Sequence, residues 1–304
     1  YNEAIKAFNK AVLIDPNYID TYIKLGLSLL DQDKIDEAKK LFKRVISYDK
    51  ENVLAHFNLG QALLKQNFLK EGLELYEWRW KLPQFFSQRR NFSRPIWDGK
   101  VALNSKRLLL WSEQGIGDTL SWSSYLPIIS SKAHHCMLEC QEKIVPLLQR
   151  SFPNLEVKPV NKELDATRKD FDFHLPMGSL YKNLFQEINK KNKTKSCLVP
   201  DANRVNYWKR RLRDVGKGPY IGISWKSSDM SSDRIQNYAP LSKWRPIFEI
   251  PDVTFINLQY KDFENDLTML QKEFKVKIHN FGDLDHYNNI EDVAALCCAL
   301  DIVV

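Results

Sequence analysis

One spacing constrains this chain before anything else: within residues 1–80 the same residue types return every 34 positions. Ala4, Phe8 and Val12 recur as Ala38, Phe42 and Ile46, and again as Gly72, Tyr76 and Trp80, while Leu25-Gly26 recurs as Leu59-Gly60. The small residue always precedes the aromatic by four, which puts both on one face of a helix. There the small side chain admits a neighbouring helix and the ring fills the space beside it. The pattern predicts helices over 3–14, 18–30, 34–47, 52–65 and 68–80, stacked as antiparallel pairs, with Asp15-Pro16 ending the first because proline cannot continue a helix.

After a connector, "QFFSQRRNFSRPIWDGK", the period changes to strands alternating with helices. Strands are expected at 107–112, 134–140, 155–160 and 171–174, with helices at 118–131 and 141–151 between them. A basic helix at 202–215 leads into "PYIGISWKSS", and the alternation resumes: strands at 220–225, 253–258, 276–280 and 301–304, helices at 241–249, 263–274 and 289–300. This order predicts two doubly wound parallel sheets in tandem. Ligands of such sheets bind beyond the carboxyl ends of the strands, so the expected site is a cleft between the two domains. The boundaries that follow are repeats over 1–80, a connector over 81–104, a first Rossmann-like, acceptor-side domain over 105–200, and a second, donor-side one over 201–304 that is incomplete at its end.

The most distinctive short motif is "LLLWSEQGIGDTLSWSSYLP", residues 108–127. Its "GIGDTL" turn is not a dinucleotide fingerprint: Gly115 and Gly117 have the right spacing, but the third position is Leu120, and Asp118 would repel a pyrophosphate at the helix start. Asp118 there caps a helix, a role worth roughly 1 kcal/mol. The same helix terminus keeps the carboxylate ionised and fixed while one oxygen stays free to accept a proton. The two roles are compatible.

Taken together, the 34-residue unit, "WDGK", "LLLWSEQGIGDTLSWSSYLP" and "IGISWKSS" carry a resemblance over nearly the whole chain. The amino-terminal part resembles the tetratricopeptide repeat, with Lys50 where that family has proline and with Trp80 departing from its pattern. The whole resembles bacterial proteins that join such repeats to a two-domain glycosyltransferase of the GT-B fold, similar to the heptosyltransferases and more distantly to the O-linked N-acetylglucosamine transferases. The resemblance implies a metal-independent, inverting transfer from a nucleotide-sugar, with Asp118 as the base that deprotonates the acceptor hydroxyl and Lys226 binding the donor diphosphate. It also implies an Asp-Thr-Ser loop and a His beyond Val304, so the sequence as given is expected to bind donor poorly and turn over little. Ser124 stands where those enzymes have arginine.

Around these two residues, Ser227, Ser228 and Arg234 would add hydroxyls and a cation at the end of a strand, suited to a leaving diphosphate, or form a polar surface loop. Gln259 ends "FINLQ", where it reaches a base or ribose or caps the strand. Glu113, Gln114, Gly115, Gly117 and Tyr125 fall on the acceptor side. Asp292 is read as a first-turn charge complementing a helix dipole, and Trp78, Trp80 and Trp97 as packing the repeats against the first sheet.

Composition excludes several classes. The chain carries a formal charge of +7, concentrated in residues 81–107 and 190–217, but without interleaved aromatics arranged as a stacking platform, so no nucleic-acid partner is expected. Cysteines 136, 140, 197, 297 and 298 form neither a CxxC pair nor a Cys/His zinc spacing. They are read as reduced thiols, which points to the cytoplasm. His134 and His135 point to opposite faces of a strand and His174, His279 and His286 lack ligand partners, so neither metal nor resident cofactor is expected. No apolar run has the roughly 18 residues of a membrane span. The first residue, Tyr1, falls in mid-helix and "LDIVV" ends in a strand, so the chain reads as open at both ends. Two functions remain: a glycosyltransferase acting on a protein or glycan acceptor, or a non-catalytic scaffold whose repeat surface binds a protein or peptide.

Overall fold

A computed structural model describes residues 2–163, 165–188, 197–227, 235 and 238–304. The expected Ser228 and Arg234 lie outside these. Two compact units emerge, Tyr1–Cys140 with Asn154–Glu156 and Val160–Lys195, and Gln141–Pro153 with Val157–Pro159 and Ser196–Val304. Residues 141–153, assigned from the alternation to the first sheet domain, thus group with the second unit.

The first unit begins with α1 (Asn2–Ile14), α2 (Ile19–Leu30), α3 (Ile35–Tyr48), α4 (Val53–Lys65) and α5 (Leu69–Tyr76). The expected fifth helix stops at Tyr76 and tightens into a 3-10 turn, Glu77–Lys81. The repeat is written into the backbone as well as the core. Asp33 and Asn67, 34 apart, both adopt left-handed φ (59° and 63°), conformations that Asp and Asn tolerate better than most residues. At each, the next residue's N–H reaches back to close the helix, Lys34 to Leu29 and Phe68 to Leu63, both at 2.9 Å. Ala38, Phe42 and Ala62 are wholly buried with Leu25, Leu29, Leu59 and Leu63 in one cluster. Gly26 lies so close to Phe42 that an added Cβ would sit 2.5 Å from the ring.

Beyond the connector, β1 (Arg107–Trp111) is the centre of a parallel sheet with β2 (His135–Cys140), β3 (Glu156–Pro159) and β4 (Phe173–Pro176), in the order β3-β2-β1-β4. Leu108, Leu109 and Leu110 are all buried, as a parallel strand covered on both faces requires. Leu109 pairs in register with Met137 and His174. The helix expected over 118–131 is broken into α6 (Ile116–Trp122), a 3-10 turn at Ser123–Tyr125 and a short helix at Leu126–Ser130. Pro127 sits in the first turn of that last piece, where its missing N–H costs nothing.

The second unit holds α7 (Val145–Ser151), α8 (Ala202–Val215), α9 (Glu264–Phe274) and α10 (Ile290–Ala299), and a parallel sheet of order β7-β6-β5-β8. Its strands are β5 (Tyr220–Ile223), β6 (Thr254–Asn257), β7 (Ile278–His279) and β8 (Ile302–Val303). Alternation along β6 sorts the two faces: Ile256 packs with Trp208, Leu212 and Leu296 of α8 and α10, and Phe255 with Leu270 of α9. Cutting the expected helix at 241–249, Pro246 opens the short Arg245–Phe248 segment.

The close approach at Gly26 decides the sign of one substitution. Helix propensity favours Gly26→Ala by about 1 kcal/mol, whereas displacing a packed ring costs about 1–3 kcal/mol. The variant should therefore unfold at lower denaturant than the parent when helix content is followed by circular dichroism.

Candidate functional site

Each parallel sheet gathers the turns after its strands at one edge, and of the expected site residues Glu113, Gln114 and Lys226 fall on those turns. In the first unit, the chain leaves β1 through Ser112, Glu113 and Gln114 into α6. Gly115 is the N-cap, and Asp118, at the third helical position, accepts the Gly115 N–H on Oδ2 at 3.2 Å. The cap is therefore real, and Asp118 is exposed. Neither glycine has positive φ. An added Cβ at Gly117 would meet nothing within 4 Å, so space is open beside the carboxylate's turn.

Glu113 differs from its expected role. It is 5% exposed, and its carboxylate is held by the Arg79 guanidinium at 3.1 Å and by the Gly178 N–H at 3.1 Å. It shapes the turn instead of facing a ligand. Burial raises its carboxyl to about 7, opposed by the Arg79 charge and the Gly178 amide. Arg79 itself is fully buried in the 3-10 turn after α5, where it also donates to Glu77 at 2.6 Å and to Ser179 at 3.0 Å. Ser179 in turn donates to Glu77 at 2.8 Å. Gln114 donates from Nε2 to the Tyr76 hydroxyl at 2.8 Å. The turn bearing Asp118 is thus fastened at Glu113 and Gln114 to the last helical turns of the repeats. Tyr125 lies half-buried, its ring 5.2 Å from that of Tyr181. Sequence reasoning missed Arg79; its signal was an arginine inside "YEWRW", where an apolar repeat face runs out.

A second buried network lies at the end of β2. Arg90 of the connector donates to Asp165 from Nε at 2.6 Å and to Glu139 at 2.8 Å, and Glu139 also accepts from Arg168. Beside it His174 accepts from Trp111 Nε1 at 3.2 Å, and burial lowers its ring to about 4, keeping it neutral. Of the three expected tryptophan contacts, Trp80 packs on Trp111 at 5.6 Å and Trp97 is buried where residue 96 bridges to His174 of β4. Trp78 does not join them: it stacks on His56 within the repeats, rings 3.9 Å apart, under Lys81.

In the second unit, Lys226 follows β5. Its Nζ lies 2.6 Å from Asp266 and donates to the Asp262 carbonyl at 2.8 Å, with about a fifth of the side chain exposed. Ser227 is half-buried beside it. Gln259 ends β6 as expected but is fully buried, so it cannot reach a ligand. Its Oε1 accepts from the Trp225 and Lys226 N–H groups at 3.1 and 3.0 Å, and its Nε2 donates to the Lys226 and Tyr260 carbonyls at 3.0 and 2.9 Å. The amide clamps the Lys226 loop. On the same edge, a cavity of about 200 Å³ opens among Tyr260, Lys261, Asn280, His286 and Tyr287. The Tyr260 and Tyr287 rings stack at 6.1 Å, and His286 Nε2 bonds the Asn257 carbonyl at 3.1 Å. Asp292, in the first turn of α10, binds Arg204 at 2.7 Å and Trp208 Nε1 at 3.1 Å. Among the described residues no three His, Cys, Asp or Glu side chains are grouped to hold a metal, and no helix is long and apolar enough to cross a membrane.

Glu113 carries a pH signature. An acid raised on folding contributes most below its unfolded value of about 4.5, and that contribution is lost as pH rises through its folded value of about 7. Glu113→Gln should lack this loss. Urea unfolding at about pH 5 and about pH 8 should therefore show the variant gaining on the parent at the higher pH, and a constant difference would contradict the assignment.

Residues 23–77 and 1–18 match models of the tetratricopeptide repeat. Protein FlbA of Caulobacter vibrioides is 31% identical over 247 residues, 77% of this chain and 41% of FlbA, so the chain spans less than half the length of that curated relative. Among solved structures, a glycosyl transferase family 9 protein of Veillonella parvula overlaps 67% of this chain and 76% of its own at 10% identity and a TM-score of 0.48. A Thermobaculum terrenum O-GlcNAc transferase mutant overlaps 98% and 73% at 11% identity and a TM-score of 0.31. The amino-terminal helices of this chain are tetratricopeptide repeats, followed by α/β units with parallel sheets.

Proposed function

We propose that the chain is part of a metal-independent, inverting glycosyltransferase that moves a sugar from a nucleotide-sugar to a hydroxyl of a protein or glycan, in the cytoplasm. The observation that carries the reading is Asp118: an exposed carboxylate at the carboxyl edge of a parallel sheet, fixed through one oxygen by its own helix cap. That arrangement suits a general base, since the cap orients the group and leaves Oδ1 for the acceptor proton. The motifs "EQGIGD" and "ISWKSS", which resemble those of heptosyltransferases, support the assignment.

On the second sheet, Lys226 supplies the cation proposed to meet a diphosphate, exchanging its bond to Asp266 for phosphate oxygens as the leaving group gathers charge. Ser227, Ser228 and Arg234 are proposed to assist it. The aromatic cavity at Tyr260 and Tyr287 has the concave, partly apolar lining of a small-molecule site and is the proposed seat of the nucleotide. The resting Lys226–Asp266 pair favours a second reading, a scaffold in which that cation is already neutralised and only the repeats bind a partner.

Asp118→Asn and Lys226→Ala in the full-length protein separate these readings. The first should lower turnover by about 10²–10⁴-fold with nucleotide-sugar binding intact. The second should weaken that binding by about 10–100-fold in calorimetric titration, the worth of one charge-assisted contact. Failure of every nucleotide-sugar in a panel to bind the parent would leave the scaffold reading.

A further inference from the structure

The "WDGK" turn has no part in the chemistry above, yet it is built with care. Asp98 Oδ1 accepts the N–H groups of Lys100 and Val101 at 2.9 and 3.2 Å. Buried Trp97 donates from Nε1 to the Val101 carbonyl at 2.8 Å. Gly99 takes φ of 82°, which side-chain-bearing residues rarely adopt, and lies against Asn183, whose amide donates to the Trp97 carbonyl at 2.9 Å. The result is a rigid turn with Lys100 exposed at its tip.

This turn forms one rim of a groove of about 590 Å³ within the first unit, a volume in the range of ligand clefts, roughly 300–1,000 Å³. α5 contributes Lys70 and Glu74 to its lining, and the stretch after β4 contributes Lys182, Phe185, Gln186 and Glu187. Lys70 and Lys100 are exposed and make no ion pair among the described residues, whereas Glu187 is taken by Lys132 at 2.8 Å. Lys182 is held by Glu77 at 3.7 Å, and Glu74 is exposed without an ion pair among the described residues, so two free cations line the groove with one free acid. Half-buried Phe185, beside the 7% exposed Leu73, supplies apolar surface, and exposed Gln186 offers an amide that can both donate to and accept from a peptide backbone. Phe185 also ends an aromatic run, Tyr125 to Tyr181 at 5.2 Å and Tyr181 to Phe185 at 6.0 Å, which leads back to the acceptor side.

We infer that this groove binds an acidic segment of a polypeptide, one with carboxylates flanking an apolar side chain. Resting on the transferase reading, the segment belongs to the acceptor protein and holds its hydroxyl-bearing stretch near Asp118. Lys70 and Lys100 pair with the carboxylates, Leu73 and Phe185 take the apolar side chain, and Gln186 bonds the backbone.

The test is fluorescence anisotropy with a labelled peptide of alternating glutamate and leucine, in the absence of any nucleotide-sugar. The parent should bind it, bind its glutamine counterpart at least tenfold more weakly, and lose at least tenfold in affinity in the double variant Lys70→Glu/Lys100→Glu, with an unchanged circular dichroism melt. Equal affinity of parent and double variant overturns the inference, as does tighter binding of a single-stranded oligonucleotide of equal charge that the double variant abolishes. Because no donor is present, the groove is judged separately from the transferase. In the full-length enzyme, the double variant should raise KM for an acceptor flanked by acidic residues and leave kcat unchanged, while absence of all turnover would count against the transferase reading alone.

Discussion

The guanidinium of Arg79 is the contact on which the rest of the first unit depends. A fully buried arginine is tolerable only when its charge is met, and here Glu77, Glu113 and Ser179 meet it from the end of the repeats, the turn after β1 and the turn after β4. Losing Glu113 or Glu77 would remove one of two counter-charges from a guanidinium buried out of water, at a cost above the pair's net worth. The three segments are therefore held as one body, and the turn that carries Asp118 inherits its position from a helix more than 30 residues earlier in the sequence.

Two carboxylates five positions apart show how place decides role. Glu113 and Asp118 flank the same turn, yet the first is enclosed and the second is exposed. Enclosure raises the Glu113 carboxyl against the pull of Arg79, while Asp118 stays open to solvent. The sequence, which offers two acids in "EQGIGD", marks Asp118 as the cap but does not show that Glu113 is enclosed, because burial is a property of what packs against the turn.

The same limit explains what was legible elsewhere. The repeats could be read because their period is local: Ala38 and Phe42 lie on one helix and face one neighbour. Parallel sheets could be read because alternation with helices leaves parallel pairing as the simple solution. Helix lengths were overestimated where Pro127 and Pro246 restart the chain, a signal present but outweighed by apolar spacing. Glu113 was placed on the acceptor side and Gln259 was read as reaching a base or ribose or as a cap; both are buried, because a polar residue after a strand reads as exposed until a distant partner is known. Arg79 and Gly178 are such partners for Glu113, and both lie far from it in sequence. Trp78 was misplaced for the converse reason, its neighbour being His56 of the preceding helix.

The Gln259 clamp has a consequence for how an anion can be received after β5. With the Trp225 and Lys226 amides already engaged by Oε1, those two N–H groups are not open to cradle an anion. An anion proposed to meet Lys226 would therefore be held there by side chains and not by those two amides, so its hold would rest chiefly on charge.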